Sequence, residues 1–285
     1  MARLTEKQYW ETFYKDSIPG VNLLPPDSRI KRLLKRAIGK RLFGLLNPYD
    51  DYLLWHSVFP AYLPASCEGL SVVEIGSAPG DFLVRFAKTF GAEPYGVEYT
   101  HYGAECNRLF FARNGLNPDN VIEADVFSQE FLDTHRGTFD IVISRGFIEH
   151  FSDVEMVVSR HVELLRPGGL LFVLIPNLRG VYYHWTKAFN PGQLPLHNLE
   201  LMEIARFQSV FDKKLLDVLR CSHFGTFSFW LFTAPDGSLW VNRVIRVLIV
   251  LQRGLNFMFR IAFAKQGRES AVFSPNLIFV GRKKD

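Results

Sequence analysis

The sequence predicts an α/β protein built on a parallel, doubly wound sheet, and three observations carry that expectation. A β-branched run, Val72-Val73-Glu74-Ile75, passes through Gly76-Ser77-Ala78-Pro79-Gly80 into the helical-looking Phe82-Leu83-Val84-Arg85-Phe86-Ala87-Lys88. Strand, Gly-rich turn and helix in that order open a mononucleotide-binding βαβ unit. Strand-like and helix-like segments then alternate, the rhythm of parallel strands joined by right-handed crossovers. Leu170-Leu171-Phe172-Val173-Leu174-Ile175 is apolar throughout, as a strand covered on both faces should be.

Length and composition agree. At 285 residues and 48% hydrophobic, the chain can bury one large α/β core with embellishments, or at most two domains. Cys67, Cys106 and Cys221 lie far apart without ligand-like spacing, which suits free thiols in a reducing compartment and argues against a structural zinc. The N-terminus Met1-Ala2-Arg3-Leu4-Thr5-Glu6 has no apolar signal core, and there is no uncharged apolar run of about 18 residues. The expectation is a cytoplasmic enzyme.

In chain order, residues 1–66 read as an N-terminal helical lid and basic amphipathic segment, interrupted by Pro19-Gly20 and Pro25-Pro26. Residues 67–285 read as one catalytic domain. Its strands are expected at 71–76, 93–98 (Glu93-Pro94-Tyr95-Gly96-Val97-Glu98), 120–125 (Asn120-Val121-Ile122-Glu123-Ala124-Asp125), 139–144 (Phe139-Asp140-Ile141-Val142-Ile143-Ser144) and 170–175. Helices are expected near 101–115 and 153–165, the second stopped by Pro167-Gly168-Gly169. A connection over 177–197 follows, then a helix near 198–211 and a strand over 215–232, bent at Gly225. An amphipathic insertion spans 235–268, with Gly254 splitting its helix in two, and Asn276-Leu277-Ile278-Phe279-Val280-Gly281 closes the sheet.

Gly76 and Gly80 let backbone approach a ligand where a side chain would collide, and Pro79 stiffens the turn. Glu98, 22 residues after Gly76, stands at the second strand tip, where a carboxylate accepts from both ribose hydroxyls of an adenosine. Read as G-x-G-x-x-G from Gly76, the second and third glycines would be Ala78 and Asp81, so the dinucleotide fingerprint is broken. Asp125, at the third strand tip, could accept from an adenine amino group.

Glu74-Ile75-Gly76-Ser77-Ala78-Pro79-Gly80, Glu98, Ala124-Asp125, Ile148-Glu149-His150-Phe151 and Leu165-Arg166-Pro167-Gly168-Gly169 resemble, in order and spacing, the motifs of class I S-adenosylmethionine-dependent methyltransferases. The resemblance covers roughly residues 68–180. It implies a Rossmann-like, seven-stranded, mostly parallel sheet with an antiparallel C-terminal edge, and S-adenosylmethionine as cofactor. It also implies that Gly76–Gly80 backs the methionine moiety, Glu98 holds the ribose and Asp125 contacts the adenine, with Glu74 and Ser144 in the same cofactor group.

Methyl transfer needs alignment and exclusion of water, and an oxygen nucleophile must also lose its proton. Glu149 and His150 stand near the fourth strand tip for that task, although Glu149 could instead cap the next helix or bind cofactor. The pair is similar to the Glu-His of ubiquinone-type O-methyltransferases, where such residues have been linked to a divalent metal. That pattern carries a further acid three residues earlier, where this chain has Gly146, so no metal is expected. His197 is the alternative base, on a connection whose Tyr182, Tyr183, His184 and Trp185 form either a substrate wall or a packed lid. Tyr9, Trp10 and Tyr14 are candidates to cover the cofactor.

The expected reaction is methyl transfer to oxygen of a small-molecule, glycan or lipid-linked acceptor. RNA 2′-O-methylation is the enzyme rival. It is disfavoured because the heat-shock-type rRNA enzymes, whose loop Ala78-Pro79-Gly80 also resembles, carry a Lys where this chain has Ile175-Pro176-Asn177; nucleic acid is not an expected partner. An inactive cofactor-binding partner subunit is the rival from another class. Residues 29–42 place Ile30, Leu33, Leu34, Ala37, Ile38 and Leu42 at helical spacing among seven Lys/Arg, and 238–264 repeats Arg243, Arg246, Arg253 and Arg260 on a largely apolar helix. Two such elements suit either an anionic membrane surface, making the enzyme peripheral, or packing on each other or at a dimer interface. The oligomeric state stays open.

Overall fold

A computed structural model describes residues 3–17, 39, 44–234 and 237–285. The basic helix expected at 29–42 lies outside these residues except for residue 39. The elements in chain order are α1 (Lys7–Ser17), α2 (Tyr49–Leu53), running through a π-helical turn into α3 (Phe59–Tyr62), β1 (Ser71–Ile75), α4 (Asp81–Phe90), β2 (Glu93–Glu98), α5 (His101–Arg113), β3 (Val121–Glu123), α6 (Gln129–His135), β4 (Phe139–Arg145), α7 (Val154–Leu164), β5 (Leu165–Pro176), α8 (Val181–Phe189), α9 (Ile204–Ser209), β6 (Leu216–Phe224), α10 (Leu239–Phe263) and β7 (Asn276–Lys283).

The seven strands form one sheet in the order β3-β2-β1-β4-β5-β7-β6. β1 to β5 pair in parallel, and β7 runs antiparallel to both β5 and β6. The last strand is thus slotted inside the sheet, and β6 forms the edge. Strand residues alternate between two cores, as the period of two requires. Val73, Ile75, Val142, Leu171, Val173 and Phe279 face α6, α7 and α9. Val72, Ile141, Ile143, Phe172, Ile278 and Val280 face the other way, toward α2, α3, α4 and α5. There Trp55 and Phe59 join Phe82, Phe86 and Phe90 in one aromatic cluster.

Several expected elements differ. The strand expected to reach 232 ends at Phe224, because Gly225 turns at φ +86 where a Cβ would strike the Pro275 ring at 2.9 Å. The third strand stops at Glu123, leaving Asp125 just beyond it. The 177–197 connection is helical, as α8 and a 3-10 stretch Pro191–Leu196, and the following helix shrinks to Ile204–Ser209. α10 runs unbroken past Gly254, whose missing side chain faces open space and asks nothing of the backbone.

Candidate active site

The Gly-rich turn leaves β1 through Gly76 at φ +71, and its amide donates to the Val97 carbonyl at 2.9 Å. A Cβ on Gly76 would meet the Phe147 ring at 2.9 Å, so only glycine lets this backbone sit against the fourth-strand loop. Beside it opens a cleft with about 650 Å³ of empty space including its mouth, within the range of small-molecule sites. Gly76, Glu98 and Asp125 line it, together with Val97, Tyr99, Val126, Phe127, Phe147 and Phe151. Glu98 Oε1 accepts from the Thr100 amide at 3.0 Å and hydroxyl at 2.7 Å, which holds a buried carboxylate at the end of β2. Burial raises its pKa, and those hydrogen bonds oppose the shift.

Asp125 arrives already engaged: Arg3 reaches its Oδ2 at 2.5 Å, and the Phe127 amide donates to Oδ1 at 3.1 Å. Arg3 also lies over the Tyr99 ring, 4.8 Å from its centroid. Arg3 carried no signal in the sequence, because a lone cation in a terminal segment has no pattern. The segment after it crosses the cleft. The Leu4 amide donates to the His150 carbonyl at 2.8 Å, and Trp10 and Tyr14 line the cleft from α1. The aromatics expected to cover the cofactor are therefore at its mouth, although Tyr9 points outward and is exposed.

The remaining expected cofactor residues sit behind the lining. Ser77 is buried and takes the Asn107 amide at 2.5 Å, and Gly80 starts α4 with its missing Cβ against Asn107. The Ala78 carbonyl accepts from the Tyr14 hydroxyl at 3.5 Å, with Pro79 beside it in the same turn. Ser144 is buried with its hydroxyl unpartnered. Glu74 turns to Arg145, whose Nε donates to Oε1 at 2.8 Å, while Oε2 has no partner. Burial raises Glu74 to about 7 against the pull of that guanidinium.

His150 stands between this cleft and a second cavity, and it lines both, as does Gly146. Its Nδ1 lies 2.8 Å from the Leu196 carbonyl and 3.0 Å from Thr5 Oγ1. A carbonyl only accepts, so Nδ1 carries the hydrogen and Nε2 the lone pair. Burial, and next the nearby His197, lower its pKa to about 4. His197 lies with its ring centroid 4.7 Å from that of His150, and its own Nδ1 donates to the Gln193 carbonyl at 2.8 Å. Glu149 is fully buried, with both oxygens lacking a hydrogen-bond partner, and burial raises it to about 8. One ligand atom from each of Glu149, His150 and His197 falls within 4.8 Å of the others, and such a set is chemically able to take a divalent cation. His184 lies elsewhere, on a separate surface cavity with Tyr183 and Leu199.

The second cavity also takes Asp50, Arg145, Trp230 and Asn276, none of which the sequence singled out. They come from four distant segments, and only the fold brings them together.

A family model described as "Methyltransferase domain" matches residues 29–217. The chain belongs to this methyltransferase family. It is a class I methyltransferase with S-adenosylmethionine as cofactor, and the cleft fits that group: a buried carboxylate for the ribose diol, a side-chain-free approach at Gly76, and flat aromatic walls. Curated relatives include the ubiquinone biosynthesis O-methyltransferases of Chelativorans sp. (strain BNC1), 30% identical over 110 residues, and Brucella anthropi, 29% identical over 114 residues. These matches cover 39% and 40% of this chain and 42% and 44% of the relatives, so the likeness spans less than half of their length. Among solved structures, a protein from Galdieria sulphuraria described as a sarcosine dimethylglycine methyltransferase superposes with TM-score 0.53 at 13% identity, over 83% of this chain and 85% of that one. The YcgJ protein of Bacillus subtilis gives 0.51 at 17% identity, over 82% and 98%. At such identities the likeness is one of fold.

Proposed function

We propose that this methyltransferase acts at a hydroxyl oxygen of a small-molecule or lipid-linked acceptor held in the second cavity, as a peripheral enzyme at a membrane surface. The observation that carries the reading is His150, which lines both the cleft and the cavity and whose Nε2, 3.9 Å from Glu149 Oε1, bears the ring's lone pair. The activity for which the curated relatives are named, O-methylation, supports oxygen as the target.

S-adenosylmethionine, when bound, supplies an activated methyl on a positively charged sulfur, and transfer removes that charge. Glu98 would hold the ribose hydroxyls and Gly76 would admit the methionine moiety, with Asp125 sharing Arg3 and the adenine edge. Trp10 and Tyr14 would keep water from the reacting line, which strengthens every electrostatic interaction within it. His150 Nε2 would take the acceptor's proton, with Nδ1 held on the Leu196 carbonyl so that the ring cannot turn. The imidazole becomes positive as the sulfur becomes neutral, so the net charge of a dry site does not change. His197 would bind the acceptor hydroxyl from the cavity side or serve as the second base.

The test offers methyl-13C S-adenosylmethionine and a total lipid extract of the producing cells, and reads the labelled carbon by NMR. An oxygen-bound methyl that His150→Gln slows by about 10²–10⁴-fold, with S-adenosylhomocysteine affinity kept, supports the reading. A label on nitrogen or carbon overturns it.

A further inference from the structure

The long helix α10 is inverted relative to an ordinary surface helix. Its two buried residues are polar: Gln252 and Asn256 are each 1% exposed. Gln252 Oε1 accepts from the Phe229 amide at 2.9 Å, and its Nε2 donates to the Phe227 carbonyl at 3.0 Å and to Asn256 Oδ1 at 2.9 Å. Asn256 Nδ2 donates to the Leu46 carbonyl at 3.1 Å. One turn on, Arg260 donates to the carbonyls of Leu45, Asn47 and Pro48 and lies 4.7 Å from the Tyr52 ring centroid. A polar seam therefore fastens the helix to the domain.

The outward face is apolar. Val247, Val250, Leu251, Met258 and Ile261 recur at three-, four- and seven-residue spacing, and Val250 and Ile261 are 64% and 70% exposed. Trp240, 69% exposed, stands at the start of the same helix. Surface helices normally bury such a stripe, and an exposed run of this size marks an interaction surface.

Charge selects the partner. Between Gly237 and Arg268 there is no Asp or Glu, while Arg243, Arg246, Arg253, Arg260, Lys265 and Arg268 all fall there. Arg243 and Arg246 are exposed beside the stripe. Apolar residues flanked by cations and without acids match an anionic bilayer surface, with acyl chains under the stripe and headgroups at the arginines. Among the described residues no helix is long and apolar enough to cross a membrane, so lying on the surface is the geometry left to α10. The seam also ties α10 to the acceptor cavity. Trp230 and Pro48 line that cavity, and they neighbour or make the hydrogen bonds to Gln252 and Arg260.

We infer that α10 docks the enzyme on an anionic lipid surface, apolar stripe inward, and that the acceptor enters the second cavity from that surface past Trp230 and Pro48. Docking rests on the membrane-surface part of the proposed function and assigns it to α10, and the entry route rests further on the proposed lipid-linked acceptor.

The full chain is sedimented with vesicles of phosphatidylcholine alone and with added phosphatidylglycerol, at low and high salt. Binding that needs phosphatidylglycerol, weakens with salt, and falls at least roughly ten-fold in Val250→Asp/Met258→Asp is expected. Both positions are exposed, and retained S-adenosylhomocysteine affinity shows that the variant is folded. No binding of the wild type at low salt overturns the inference, as does binding that the double variant keeps. A wild-type dimer in ultracentrifugation that the double variant makes monomeric would assign the stripe to a second copy, which also overturns it. Vesicle binding is read without methyl transfer, so a wrong acceptor and a wrong docking face give different results.

Discussion

Glu98 stands at the tip of the second strand and on the cleft wall. An acid that ends a strand about 20 residues after a Gly-rich turn is where nucleotide-binding βαβ units place a ribose-binding carboxylate, and Glu98 is buried there with Thr100 holding one oxygen. Asp125 was equally legible by position, but its Arg3 partner was not, since an ion pair across 122 residues leaves no local pattern. Glu98→Gln keeps the shape and loses the charge. A charge-assisted hydrogen bond contributes about 1.5–3 kcal/mol, so S-adenosylhomocysteine binding by calorimetry should weaken roughly ten- to hundred-fold. A change below two-fold would remove Glu98 from the cofactor site.

Elements were readable where their period was regular. The alternation from β1 to β5 rests on apolar residues spaced for strands and helices, and the sheet follows it. The reading failed where local signals conflicted. Phe224 to Phe232 continues an apolar run that looks like strand, yet Gly225 at φ +86 turns the chain out of the sheet. Gly180, Pro191, Gly192 and Pro195 read as loop, yet Val181–Phe189 between them is helix, with Tyr182 buried and its hydroxyl donating to the Phe273 carbonyl at 2.9 Å. Tertiary burial overrode weak local signals there. α1 is the element whose role is most open to test. Its Trp10 meets the His150 ring edge-on at 5.3 Å and lines the cleft, while few core residues depend on it. Trp10→Ala should therefore loosen S-adenosylhomocysteine by roughly ten-fold, equivalent to about 1.4 kcal/mol, with little change in melting temperature. An equal fall in both would make α1 a structural brace instead of a cover.

At the scale of the whole molecule, the fold buries titratable groups whose neutral forms it prefers, some of them at the site and others behind it. His150 and His161 are held down at about 4 by burial, and Glu149 and Glu74 are held up at about 8 and about 7 by the same cause. The signs oppose. A histidine depressed from 6.5 contributes stability that is complete above 6.5 and is lost as pH falls toward 4, because only the unfolded chain takes the proton. A carboxylic acid raised from 4.5 contributes stability that is complete below 4.5 and is lost as pH climbs through 7 to 8. Each group tilts the curve by at most about 1.4 kcal/mol per pH unit. Between 4.5 and 6.5 the contributions of these four groups oppose and nearly cancel, whereas from 6.5 to 8 the two acids act alone and lower stability as pH climbs. Glu149→Gln tests the alkaline limb, since glutamine is a neutral near-isostere of the protonated acid. The variant should match the wild type most nearly near pH 4 and melt increasingly higher up to pH 9 by scanning fluorimetry, because only the wild type must then ionise a buried group without hydrogen-bond partners. A difference that does not change with pH would mean that Glu149 is solvated or paired in the folded protein.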